Sequence, residues 1–179
     1  SADGIDVVLF RPTPLPNGRM DWLTYGFETL PFEPSLAAEV RWILDGGAVD
    51  VQRLALLHRD LGIAFGLAAR QVGDRCGYSI DLVGSHGQTV WHHDGNLVGG
   101  AASLQLGDGD FIAEASGATV VSDFRQRDMA AGGEGAPIGL LVDPWLFPKL
   151  PLPGAILNLG GFGNLTLLNR NGGCASFDT

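Results

Sequence analysis

Residues 123–137 read DFRQRDMAAGGEGAP. Three carboxylates, Asp123, Asp128 and Glu134, and two guanidiniums, Arg125 and Arg127, stand against a run of small residues. A packed core does not call for that order. A backbone that must come close to a ligand does, because glycine has no Cβ to hold it away. Asp128 then has two readings. As a general base it needs one carboxylate within hydrogen-bond reach of a water or hydroxyl, with Arg125 and Arg127 nearby as opposite charges. In that reading the arginines are also placed to face a phosphate, whereas as the cap of a following helix Asp128 satisfies free backbone donors and the arginines make surface pairs.

Outward from this stretch, apolar runs and turn residues alternate. Residues 118–122 read as a strand feeding a loop at 123–135, and 110–116 as a helix closed by Gly117. Further upstream, 5–10 and 20–27 read as antiparallel strands around a Pro-rich, Asn-Gly turn at 11–18. Leu36, Val40, Ile43 and Leu44 recur at helical spacing, ended by Gly46-Gly47. Asp50 is a candidate N-cap, after which Leu54, Leu57, Leu61, Phe65, Ala68 and Val72 predict a long helix closing at Gly73. Gly62 and Gly66 share one face of it, which implies close packing against a neighbour. Residues 81–84, 90–93 and 103–106 read as strands. Downstream, 138–147 reads as helical despite Pro144, 154–159 as a strand, and 163–168 with 174–177 as a hairpin around 169–173. Alternating strands and helices predict an α/β domain with a mixed β-sheet flanked by helices.

The composition narrows the function. With 179 residues, 45% hydrophobic and 17% charged, the chain suits one globular domain rather than a disordered segment. A net charge of -9 disfavours nucleic acid, which needs a basic patch. Anionic ligands remain open through local arginines and backbone N–H groups. Cys76 and Cys174 show no zinc spacing and read as free thiols. No apolar run approaches membrane-spanning length and no signal-peptide pattern opens the chain, so no membrane is expected and the reading is cytoplasmic.

Several further motifs carry chemistry. Ser85-His86-Gly87-Gln88-Thr89 puts a polar tip after a short strand, as polyol recognition requires, or else forms a hydrogen-bonded turn. His86, His92 and His93 suit a metal poorly, because His92 and His93 point to opposite faces of a strand. Gly107-Asp108-Gly109-Asp110 lacks the rest of a calcium loop, leaving Asp108 as a sugar-hydroxyl acceptor or a turn residue. Asn158 through Asn164 follows a strand, and its glycines free backbone N–H groups for an anion. It is neither a Walker loop nor a dinucleotide fingerprint.

These motifs, collinear from Ser1-Ala2-Asp3-Gly4-Ile5-Asp6 through Ser85–His92, Leu104–Gly109, Asp123–Pro137 and Asn158–Asn164 to Phe177-Asp178-Thr179, resemble the 1,6-anhydro-N-acetylmuramic acid kinase family. The resemblance implies an actin-like, ribonuclease H-like sugar-kinase fold with two lobes around an ATP cleft. It implies ATP and Mg2+ as cofactors and 1,6-anhydro-N-acetylmuramate as the small-molecule partner. Water opens the anhydro ring, and O6 takes the γ-phosphoryl group in cell-wall sugar recycling. By the same resemblance Asp128 is the base. Asp3 lies near the metal and the γ-phosphate. Ser1, Gly4 and Asp6 belong to the first phosphate loop, and Gly160, Gly161 and Asn164 to the second. His86, Gln88, Thr89, Asp108 and Arg125 fall on the sugar side.

The chain departs from the pattern in places. It starts inside the first phosphate loop and stops before the nucleotide-binding half, so residues 1–179 are expected to be an N-terminal lobe that is inactive alone. Leu140 and Asp143 stand where a proline and a histidine are expected, and Glu134 stands where glutamine is. The rival reading is a sugar-binding lobe without chemistry. The sequence leaves a homodimer open.

Overall fold

In the computed structural model, which describes residues 4–16, 20–95, 99–159 and 163–178, the chain opens with a long hairpin. Strand β1 (Ile5–Pro14) pairs antiparallel with β2 (Met20–Leu30), with a register shift between Leu9 and Phe10. The strands run through the turn expected at 11–18: Pro12 stands opposite Trp22 and Pro14 opposite Met20. Two prolines two residues apart turn their missing N–H groups to the same edge, and a two-stranded ribbon has an outer edge that asks for no donor.

Helix α1 (Pro34–Leu44) starts with a proline in its first turn, where its lack of an N–H is harmless. Asp50 then accepts a hydrogen bond from the Arg53 N–H at 2.7 Å, capping α2 (Val51–Cys76) as the sequence predicts. The helix passes Gly73 and ends three residues later at Cys76, where Gly77, with a φ of 74°, supplies the left-handed cap. Val40, Leu57, Leu61 and Leu106 close the core between α1, α2 and the strand that carries Leu106. Full burial of each such aliphatic side chain contributes about 1.5–3 kcal/mol.

Strand β3 (Leu82–Gly84) leads into the antiparallel pair β4 (Gln88–His93) and β5 (Ala102–Leu106). Helix α3 (Gly109–Ser116) follows, and β6 (Thr119–Val121) returns to lie parallel to β3. The close approach read from Gly62 and Gly66 is present. A Cβ on Gly62 would sit 2.7 Å from the Asp108 carbonyl oxygen, and one on Gly66 2.6 Å from that of Ile112. Backbone of α3 thus rests on the bare face of α2.

The segment expected to be a loop at 123–135 begins as a helix, α4 (Phe124–Ala130). Its Phe-Arg-Gln-Arg-Asp-Met-Ala sequence is largely built of good helix formers, but it is too short to show apolar periodicity. The single helix expected at 138–147 divides into a 3-10 turn, Ile138–Leu141, and α5 (Asp143–Leu146), with Pro144 in the first turn. Proline ends the first piece and can begin the second. Strands β7 (Gly154–Leu159), β8 (Gly163–Leu168) and β9 (Cys174–Asp178) form an antiparallel set.

The protein is therefore a mixed α/β structure, but its strands fall into four small sheets among the described residues: β1–β2, β3–β6, β4–β5 and β7–β8–β9. No continuous mixed sheet joins them there. Instead, a slot of about 790 Å³ separates β1 from β3, walled by Gly4–Pro12 on one side and Tyr78–Gln88 on the other, with Phe32, Phe65 and Ala69 also lining it. Cys76 and Cys174 are free thiols. Among the described residues no helix is long and apolar enough to cross a membrane.

Candidate functional site

The tip after β3 is where the chemistry-bearing motifs meet. Ser85 is buried, and its N–H extends the β3–β6 pairing to the Val121 carbonyl at 2.9 Å. Gly87 then turns with φ 73°, and a Cβ there would lie 2.8 Å from the Leu106 carbonyl oxygen. Only glycine fits both demands. The turn presents His86, Gln88 and Thr89 to a cleft of about 1380 Å³, which Arg125, Asn158 and Asn164 also line.

His86 and Arg125 are joined. Arg125 donates through Nε to His86 Nε2 at 2.8 Å, so the ring hydrogen sits on Nδ1, which donates to the Gly87 carbonyl at 3.0 Å. Burial holds the His86 imidazole below its ordinary value. The Arg125 guanidinium pushes the same way, against the opposing pull of the Gly87 carbonyl. The imidazole is thus kept neutral and acts as an acceptor toward arginine.

Arg125 also donates through Nη1 to the Gly135 carbonyl at 2.7 Å, and the Gly135 N–H donates to Asp128 Oδ2 at 2.8 Å. Gly135 is buried, with φ 75°. The Gly-Gly run between is pinned as well, because the Asp128 carbonyl accepts from the N–H groups of Ala131 and Gly133. The question posed by 123–137 has a structural answer. The small residues let the chain fold back onto the last turn of α4, where Gly135 bridges an arginine and a carboxylate. The exposed Asp128 side chain caps no following helix, and it stands beside the cleft rather than in its lining.

The other sequence-derived residues separate into groups. Gly4 and Asp6 line the β1–β3 slot, and Asp6 Oδ1 accepts from Thr29 Oγ1 across the hairpin at 2.6 Å. Asn164 faces the second cleft, directly opposite Asn158 in the β7–β8 register. The two clefts meet at His86, Gly87 and Gln88. Asp108 stands apart. Its Oδ1 accepts from the N–H groups of Asp110 and Phe111 at 2.8 and 3.3 Å, capping α3. Its Oδ2 lies 3.5 Å from His58 Nε2. Ser1, Asp3, Gly160 and Gly161 lie outside the described residues.

Asn158 and Asp143, which sequence reasoning did not assign to the site, also line the cleft. Asn158 was legible from the motif it opens, and the structure sets it opposite Asn164. Asp143 was visible only as a departure. Among the described residues no group of three or more His, Cys, Asp or Glu side chains could hold a metal ion. His93 instead stacks on Trp91 at 5.8 Å.

The cleft offers an arginine and paired asparagine amides to an anion, and hydroxyl, amide and imidazole groups to a polyol. The family model for anhydro-N-acetylmuramic acid kinase matches residues 1–179.

The chain belongs to that family.

Curated relatives of the same name include one from Gloeobacter violaceus, 42% identical over 84% of this chain and 41% of its own length. One from Synechococcus elongatus is 39% identical over 95% of this chain and 44% of its own. One from Xanthomonas campestris pv. campestris is 40% identical over the whole chain and 48% of its own. The chain thus spans less than half the length of these anhydro-N-acetylmuramic acid kinases.

Proposed function

We propose that this chain is the sugar-side lobe of an ATP-dependent kinase that hydrolyses the anhydro ring of 1,6-anhydro-N-acetylmuramate and phosphorylates O6. The observation that carries the reading is the connected set His86–Arg125–Gly135–Asp128 beside a polar cleft. It ties the candidate base to the candidate sugar-binding turn through one buried glycine.

Asp128 Oδ2 is held by the Gly135 N–H, which fixes the plane of the carboxylate and leaves Oδ1 to take a proton. Water adds to the anomeric carbon and gives its proton to Asp128, and the bond from that carbon to O6 breaks. ATP, when bound, supplies the phosphoryl group that O6 accepts. His86, Gln88 and Thr89 hold the sugar, and Arg125 and Asn164 face anionic oxygens. This is catalysis by positioning and electrostatics. Among the described residues, Asn164 would donate an amide to phosphate. Magnesium commonly takes one or two carboxylates plus phosphate oxygens, and Asp6, with Asp3, would supply them.

The actin-like fold is part of the same reading. One strand in the slot would join β2, β1, β3 and β6 into a single five-stranded mixed sheet. We expect the chain alone to lack turnover, since it spans under half of its relatives.

The test compares the chain with the longest natural reading frame that contains it. Each is incubated with magnesium-ATP and the anhydro sugar, and the sugar is followed by mass spectrometry for the gain of water plus phosphate. Phosphosugar from the longer protein but not from its Asp128→Asn variant supports the reading. Sugar binding without any phosphorylation overturns it in favour of a sugar-binding lobe.

A further inference from the structure

Thr89 and Gln105 are directly opposed in the β4–β5 register, one residue before the bulge that re-aims the strand. Thr89 lines the cleft, whereas Gln105 lies behind it, 7% exposed, with Ser103 at 8%. The hydrogens in this cluster can be assigned one after another. Ser103 Oγ donates its single hydrogen to the Trp91 carbonyl at 3.1 Å. It can then only accept from Gln105, whose Nε2 is 2.6 Å away. The amide nitrogen therefore faces Ser103, and its second hydrogen points at Thr89 Oγ1, at 3.2 Å. Gln105 Oε1 is buried and meets no donor among the described residues, so Ser103 rather than its own carbonyl sets which way round the amide lies. Gln126 adds a brace from α4, donating through Nε2 to the Ser103 carbonyl.

Thr89 Oγ1 is thus obliged to accept from behind, and its hydrogen is left to be given forward. We propose that Gln105 is a positioning residue that fixes Thr89 as a hydrogen-bond donor into the cleft, selecting a ligand oxygen that only accepts: a carbonyl, a carboxylate or an ether. The inference rests on the sugar-kinase reading and deepens it, because the proposed substrate carries all three oxygen types. A ligand oxygen that accepts in that position takes this hydrogen, whereas a donor-only group, such as an ammonium replacing the N-acetyl group, forfeits it and meets only the remaining lone pair of Thr89.

The experiment uses the longest natural reading frame containing the chain and steady-state kinetics with the anhydro sugar. Thr89→Val removes the donor, and Gln105→Met removes the group that sets its direction. Each is expected to lower kcat/KM roughly tenfold, the weight of one hydrogen bond. The double variant should be no worse than Thr89→Val alone, because Gln105 acts only through Thr89. Gln105→Leu is the second variant, close in size and without any donor, and it should reproduce the loss. A rise in KM alone places the oxygen on the carbonyl or carboxylate side, and an equal fall in kcat and kcat/KM places it on the bridging ether. Losses that multiply in the double variant, or a Gln105→Met protein with a lower Tm and unchanged kinetics, overturn the proposal while leaving the kinase reading intact. A wild-type protein that neither binds nor converts the sugar overturns both.

Discussion

Arg125 Nε donates to His86 Nε2 at 2.8 Å, joining two motifs 39 residues apart in the chain. The same guanidinium holds the Gly135 carbonyl. A fork of N–H groups makes both contacts at once, and a lysine ammonium cannot reproduce that geometry. Arg125→Lys is expected to cost about 1–3 kcal/mol, the range for a charged hydrogen bond lost at a partly buried site. Denaturant unfolding reads the loss, and unchanged stability would show that the two contacts carry no net energy.

The neutral state of His86 makes stability depend on pH. Its folded value lies below the ordinary 6.5, so between the two the unfolded chain binds a proton that the folded one refuses. Stability is therefore full above that ordinary value and falls as pH drops below it toward the folded value. His86→Gln keeps an acceptor for Arg125 and a donor for Gly87 but does not titrate. A series of Tm values from neutral to mildly acid pH should fall less steeply for the variant than for wild type.

Gly135→Ala tests the bridge to Asp128. The added methyl meets the Met129 Cγ at 2.9 Å, on a backbone held at φ 75°. Left-handed backbone costs a non-glycine residue about 1–2 kcal/mol before any clash. In the longest natural reading frame that contains the chain, and on the kinase reading proposed above, the variant is expected to be less stable and to turn over more slowly, with the ring-opening step hit hardest because the Asp128 carboxylate loses its anchor. Sugar affinity measured by calorimetry should change less than kcat.

At Gly66 two effects oppose each other. Alanine gains about 1 kcal/mol in helix propensity. Its Cβ would also sit 2.6 Å from the Ile112 carbonyl oxygen and the Ala115 Cβ. Both neighbours belong to a packed helix and cannot swing away, and overpacking of this kind costs about 1–3 kcal/mol. Gly66→Ala is thus expected to destabilise by thermal unfolding, and a higher Tm would show that α3 can slide.

What the sequence made legible was mostly local. Asp50 and the apolar spacing after it marked α2, and Gly62 with Gly66 marked the face where α3 lands. The hairpin at 163–168 and 174–177 announced itself through its turn. The errors came where a rule had a tolerated exception. Pro12 and Pro14 argued for a turn and sit in an edge strand instead. The short helix at Phe124–Ala130 lacks the length to show a period. Of the site, the motifs could be named but not their joins. Nothing in the chain's order says that Arg125 reaches His86, or that Gln105 stands behind Thr89, since both depend on register and on how β3 and β6 align. Asp108 was legible as a turn residue, and its capping of α3 accounts for one of its oxygens.

The slot between β1 and β3 bears on which backbone hydrogens are held. Each of those strands is paired on one side only among the described residues, and it is α2 that packs against β1, β2 and α3 alike. With no ladder across the slot among the described residues, the hairpin and the β3–β6 unit are joined by side-chain packing, on α2 and through Tyr25 against Tyr78, rather than by backbone hydrogen bonds. Amide exchange should report this directly: hydrogens turned toward the slot exchange at unprotected rates, while those turned into β2 or β6 are held. A strand laid in the slot would pair with both inner edges, and their protection would rise together.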